Sequence, residues 1–150
     1  MTPVKPSDLP PPPADAELHV LLLAGRLMQA VRDTMAAEDW GGLRQSHFRL
    51  LSLVPREGIS ISDLAVPLSM TKQAVGQFVT GLEESGHVAV RPEPTDRRVR
   101  LVVRTPLGDA VVRRVNTRIR RIERGWARQV GEQRYDEFKA VLRDLAVPAR

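Results

Sequence analysis

The stretch from His87 to Arg104 constrains this chain most. Two strand-like runs, His87-Val88-Ala89-Val90-Arg91 and Val99-Arg100-Leu101-Val102-Val103-Arg104, flank a turn built from Pro92-Glu93-Pro94-Thr95-Asp96-Arg97-Arg98. Proline presets turn geometry, and aspartate bonds to its own nearby backbone, so the segment reads as a short hairpin with a cationic tip. The run before it, Met70 to Gly86, has Val75, Phe78, Val79 and Leu82 spaced three and four apart. That spacing predicts one amphipathic helix. A helix feeding directly into a small basic hairpin predicts a winged helix, with the helix suited to a major groove and the hairpin tip to a minor groove.

Upstream, Phe48, Leu51 and Val54 predict a helix over about Arg44 to Val54. Ser60 or Ser62 can cap a short helix carrying Ile61, Leu64, Ala65 and Leu68. The sequence short helix, tight turn, second helix is a helix-turn-helix. In the hairpin, Val88 and Val90 alternate with polar residues, and Val99, Leu101 and Val103 alternate with Arg98, Arg100, Val102 and Arg104. We therefore expect Leu101 and Val103 to face the helical core.

The flanking segments have another character. Residues 1–14 form a proline-rich arm, with six prolines in the first 13 residues, and are expected to be disordered. A first helix is expected from Asp15, as N-cap, to Ala37. Its apolar residues (Leu18, Val20, Leu21, Leu22, Leu23, Leu27, Met28, Val31 and Met35) cover more than one face. Thr105 should cap a long helix, with Pro106 at its first position. Its stripe is Leu107, Val111, Val115, Ile119, Ile122, Trp126 and Val130, and beyond Gly131 a last helix presents Tyr135, Phe138, Leu142 and Leu145. The expected organisation is thus a helical homodimerisation module from residues 15–43 and 105–150 around a winged-helix lobe of residues 44–104. Packing of the three outer helices on one another alone is the monomeric alternative. The fold class is mainly α (α+β).

The net charge is +5, and its distribution is uneven. Residues 1–43 carry a net −3, residues 87–105 a net +3 and residues 106–128 a net +5. All the cations between 87 and 128 are arginines, which bond phosphate in bidentate fashion and stay charged at any physiological pH. A polyanion is the natural partner; for the long helix a merely solvated face is the alternative. The absence of cysteine excludes disulfides and thiolate metal sites, and is compatible with a reducing cytoplasm. No secretory signal or membrane-length apolar run is present. His19, His47 and His87 are isolated, no glycine-rich phosphate loop occurs, and Glu83-Glu84 point in different directions on a helix. We expect neither an enzyme nor a metal or other cofactor.

These residues together resemble the MarR family of bacterial transcription regulators. Three pieces carry the resemblance: Leu43-Arg44-Gln45-Ser46-His47-Phe48-Arg49-Leu50-Leu51; Leu64-Ala65 with Met70-Thr71-Lys72-Gln73-Ala74-Val75 and Leu82-Glu83-Glu84-Ser85-Gly86; and Asp96-Arg97-Arg98 with Thr105-Pro106-Leu107-Gly108. Their order and spacing make the match specific. It implies a winged-helix homodimer on a pseudo-palindromic duplex operator, usually a repressor, released by a small and often aromatic molecule. It places Arg98 in the minor groove and Asp96 against the arginine-rich loop. The sequence departs from the family pattern at Pro67 in the third helix, at Ser69 in the turn, at Gly76-Gln77 and Thr80-Gly81 in the reading helix, and at Arg104 before Thr105. Pro67 predicts a shortened or kinked third helix.

The expected DNA-binding residues are Thr71, Lys72, Gln73, Gln77, Thr80, Asp96, Arg97, Arg98 and Arg100. Gln73 has the donor–acceptor pair that matches adenine, Thr71 suits a phosphate or a thymine methyl, and Arg97 and Arg100 suit phosphates. Met28, Trp40, Arg44 and His47 are candidates for an effector site, with Arg44 for a carboxylate and Trp40 for an aromatic ring. Two rival functions use the same fold: a protein-interaction module, and an architectural DNA binder without sequence preference.

Overall fold

The computed structural model describes residues 9–14 and 16–147. Residues 1–8 of the arm, the expected cap Asp15 and residues 148–150 lie outside them. The elements in chain order are α1 (Val20–Ala36), α2 (Gln45–Leu53), β1 (Ile59–Ser60), α3 (Ile61–Leu68), α4 (Lys72–Glu84), β2 (Val88–Pro92), β3 (Arg100–Arg104), α5 (Pro106–Val130) and α6 (Glu132–Ala146). The chain divides into two compact units: Asp39–Asn116, and the segments before and after it. Residues 106–116 of α5 therefore group with the lobe, beyond the sequence-based boundary at 104.

The lobe is built around Leu50, Leu51, Val54, Leu64, Val75, Leu82, Val88 and Val102, each nearly inaccessible to water. Burying each such side chain contributes about 1.5–3 kcal/mol, which holds α2, α3 and α4 against one face of the sheet. The sheet is antiparallel with strand order β1-β3-β2. The two-residue β1 was not legible in the sequence; it pairs Ile59 with Val102 and Ser60 with Leu101.

The phase of β3 differs from expectation. Val90 pairs with Val102 and Val88 with Arg104, and cross-strand partners share a face. Val102, fully buried, therefore faces the core in place of Leu101 and Val103. Those two lie on the other face, where the Gly58 turn closes over them; a Cβ on Gly58 would come 2.8 Å from Val103 Cγ1. Arg104, on the core side, is accommodated because its Nη1 donates to Leu51 O at 3.0 Å and its Nε pairs with Asp109 Oδ1 at 2.8 Å.

Helix ends follow local chemistry. α1 starts at Val20, later than expected, where the His19 Nδ1 accepts from Leu22 N at 3.2 Å. Ser60 Oγ caps α3 by accepting from Asp63 N at 3.1 Å. α3 runs through Pro67 to Leu68. Pro67 falls in the last turn, so its missing N–H deprives only the carbonyl of exposed Asp63. Ser69 then takes φ 54°, the left-handed conformation that ends the helix and turns the chain toward α4.

In the other unit, Ala30, Thr34, Met35, Ile122 and Tyr135 are buried, and Arg118 is buried in an ion pair with Glu38 (2.7 Å). Arg26 Nη2 donates to Leu9 O at 3.3 Å, tying the described part of the arm to α1. Gly131, at φ 95°, makes the turn between α5 and α6. Much of this unit's apolar surface stays open: Leu21 is 80% and Leu145 81% exposed, with Leu23, Phe138 and Leu142 also exposed. A cavity of about 460 Å³ lies among α1, α5 and α6, lined by Leu23, Leu27, Val31, Ile122, Trp126 and Phe138. No helix of the described residues is long and apolar enough to cross a membrane.

Candidate nucleic-acid interface

Within the lobe, α4 buries Val75, Val79 and Leu82 and leaves its other side to water. Lys72, Gln73, Gln77 and Thr80, with Thr71 at the cap, are all exposed there. Thr71 Oγ1 accepts from Ala74 N at 3.1 Å, so this hydroxyl oxygen terminates the helix and still offers its proton outward. Thr80 Oγ1 donates to Gly76 O at 3.0 Å, which leaves its oxygen lone pairs as acceptors. A Cβ at Gly76 would meet nothing within 4 Å. Thus Gln73 and Gln77 project amide donors and acceptors on adjacent turns, beside the single cation Lys72.

The wing tip is held by its own backbone. Glu93 N donates to Val99 O and Val99 N to Asp96 O, both at 2.9 Å. Asp96 Oδ1 accepts from Arg98 N at 3.0 Å. The Asp96 carboxylate thus shapes the turn through an amide contact. Arg97, Arg98 and Arg100 are exposed; Arg100 Nη2 reaches back to Val90 O at 3.4 Å.

Two positioning residues escaped the sequence reading. Glu83 Oε1 accepts from Val90 N at 3.1 Å and ties the outer edge of the hairpin to α4. Arg91 Nη2 donates to Glu57 O at 3.2 Å, joining β2 to the turn before β1. Both join different elements, across seven residues in the first case and 34 in the second, and no local pattern announces them. At the wing's far end, Thr105 Oγ1 donates to Gly86 O at 2.6 Å, and Thr105 N donates to His87 O at 3.2 Å.

The four effector candidates do not form one group within the lobe. Trp40 is buried, with Phe48 at 4.7 Å between ring centroids and the Arg114 guanidinium 4.2 Å over its ring. Arg44 is exposed and serves as the N-cap of α2; arginine has no acceptor, so His47 Nδ1 instead accepts from Arg44 N at 2.8 Å. His47 lies edge-on to Phe78 at 5.3 Å. Burial, then the charge of Arg44 and the proximity of His87, hold its pKa below the usual histidine value. Met28, half exposed, belongs to the other unit. Among the described residues, no group of three or more His, Asp or Glu side chains is placed to hold a metal ion.

Residues 42–99, from the turn before α2 to the wing, match the MarR family. The chain is also similar to the transcriptional activatory protein BadR of Rhodopseudomonas palustris, 37% identical over 71 residues. That match covers 45% of this chain and 41% of BadR, so the chain aligns with less than half the length of this relative. Two solved structures share the fold. CouR from Rhodococcus jostii RHA1, bound to p-coumaroyl-CoA, is 21% identical with a TM-score of 0.66, covering 87% of this chain and 91% of CouR. PcaV from Streptomyces coelicolor, in complex with its natural ligand, is 22% identical with a TM-score of 0.67, covering 91% and 99%.

Proposed function

We propose that this chain is a sequence-specific DNA-binding transcriptional regulator, non-enzymatic and cytoplasmic, acting as a homodimer on a pseudo-palindromic operator. The observation that carries this reading is the pairing, in one MarR-family lobe, of an exposed polar row on α4 with a wing tip that presents Arg97 and Arg98 to solvent. Gln73 and Gln77 read base edges in the major groove, with Thr71, Lys72 and Thr80 alongside. Arg98 enters the minor groove, Asp96 keeps the turn in shape, and Arg97 and Arg100 neutralise phosphates.

The homodimer is supported by the open apolar faces of α1 and α6 and the groove among α1, α5 and α6, surface that a monomer would leave in water. Met28 lines that groove. Two lobes then meet half-sites about 10 bp apart. Release by a small aromatic or carboxylate effector, with repression as the default state, is part of this reading; the ligand-bound CouR and PcaV structures support the effector alone. In the lobe, Arg44 and His47 are the residues we assign to such a ligand, with Trp40 behind them.

The test is selection of bound fragments from genomic DNA, followed by salt titration of the best one with wild type and Arg98→Ala. The variant should bind more weakly, with a log–log salt slope smaller by about 0.9. Equal affinity and slope would remove the wing from recognition, and equal affinity of wild type for selected and random duplexes would leave only an architectural role.

A further inference from the structure

The arginine excess of α5 is not consumed by the fold. Two of its arginines have structural partners, and one that precedes it takes an acid of the helix. Arg118 is buried against Glu38, Arg114 stacks on Trp40, and Arg104 just upstream takes Asp109, one of the two acids between 106 and 128. The other acid, Glu123, is held by Lys139 Nζ at 2.9 Å. That leaves Arg120, Arg121, Arg124 and Arg128 in the helical unit, all exposed. Positions 120, 124 and 128 repeat every four residues, and 121 lies three before 124 and seven before 128, so all four share one side of the helix. The opposite side holds Ile119, Ile122 and Trp126. Among the described residues none of the four has an ion pair; the contact made is Arg120 Nη2 donating to Thr117 Oγ1 at 3.3 Å.

We infer that this arginine row is a second, sequence-independent contact surface for duplex DNA, separate from the reading face of the lobe. The row spans about 12 Å of a straight helix. Twelve ångströms of duplex carry about seven phosphates, at one charge per ~1.7 Å of axis, so a rod-like polyanion can engage all four side chains. Guanidinium groups pair with phosphate in bidentate fashion and lose little hydration in doing so. Thr117 and Ala127 are the other residues of the helical unit on this side, and no large apolar side chain interleaves with the arginines. A membrane surface or a folded acidic partner requires such anchors. No amide reads bases there either, so the contact is with backbone alone. The inference extends the DNA-binding reading of the chain, but its measurement does not depend on an operator.

The full-length chain and the variant Arg120→Gln, Arg124→Gln, Arg128→Gln are titrated with a long mixed-sequence duplex across a salt series. Wild type should show a log–log slope steeper than the variant by about 2.7, at 0.9 for each lost phosphate contact. The preference for operator over mixed sequence should survive in the variant, because the lobe is intact. Circular dichroism confirms folding; should the triple variant fail to fold, Arg124→Gln alone should still lower the slope by about 0.9. Unchanged slopes in a folded variant overturn the inference, as does a variant that loses only binding to polyglutamate, which would make the row a site for acidic protein. A wild-type chain with no operator preference but with the expected slope difference would defeat the regulator reading and leave this surface standing.

Discussion

Gly108 provides the sharpest test of how the wing is rooted. It is the third residue of α5, and helix propensity alone says that alanine there stabilises by about 1 kcal/mol. The tertiary structure says the reverse. A Cβ built on Gly108 overlaps the carbonyl oxygen of His87 and comes within 3.2 Å of its carbonyl carbon. That oxygen is backbone and already accepts from Thr105 N at 3.2 Å, so no side-chain rotation relieves the overlap. The first turn of α5 must lift away, straining both that bond and the 2.6 Å bond from Thr105 Oγ1 to Gly86 O. Losing two hydrogen bonds at about 0.5–1.5 kcal/mol each, with an overpacking cost of about 1–3 kcal/mol, outweighs the propensity gain. The expected net loss for Gly108→Ala is about 3 kcal/mol, or a fall in Tm of roughly 12–24 °C for a lobe of this size. Thermal unfolding at fixed protein concentration, followed by far-ultraviolet circular dichroism, measures it. Gly125→Ala on the same helix is the control. Nothing lies within 4 Å of its added Cβ, so it should stabilise by up to about 1 kcal/mol. If both variants raise Tm together, the wing is not locked through His87 and the steric argument fails.

Two further outcomes follow from titrating groups. Tyr135 is the single tyrosine of the chain, and burial, followed by the neighbouring Glu123, pushes its pKa up to about 12. Because the folded value is raised above the unfolded value near 10, its contribution to stability is complete below pH ~10 and is lost as pH rises toward 12. The phenolate band should stay small at pH ~11 while circular dichroism remains native, and ionisation near 10 in a folded chain would refute the burial. The pKa of His47 is depressed, so its neutral form is favoured in the folded lobe. Stability from this group is therefore present above pH ~6.5 and declines as pH falls below it, when protonation of Nδ1 expels the Arg44 N–H. His47→Asn, which keeps an acceptor, should flatten the pH dependence of the unfolding midpoint between pH ~5 and 7; an unchanged profile would assign the dependence to other groups.

How much of this was legible in the sequence varies with the range of the interaction. The α4 stripe of Val75, Val79 and Leu82, the hairpin, the cap role open to Ser60, and the Thr105-Pro106 start of α5 all rest on local periodicity and turn chemistry, and each is found where the pattern places it. The exposure of Lys72, Gln73, Gln77 and Thr80 follows from the same periodicity and that of Asp96, Arg97 and Arg98 from the turn, whereas Arg100 is exposed although it shares the strand face of Val102. The strand phase of β3 went the other way. Both Leu101 and Val102 are apolar, so alternation alone selects the wrong set. The register with Val90, and a third strand of two residues, decide that Val102 turns inward.

By itself, then, the order of residues determined a helix-turn-helix feeding a cationic hairpin, bracketed by helices with apolar residues on more than one face, because those properties repeat over a few neighbouring positions. Only the folded chain decided which charges remain available. Arg104, Arg114 and Arg118 are drawn into contacts with Asp109, Trp40 and Glu38, while Arg98 and the row from Arg120 to Arg128 stay in water. The physical reason is that an arginine's partner is set by proximity in space, and a charge pattern along the chain does not contain that distance.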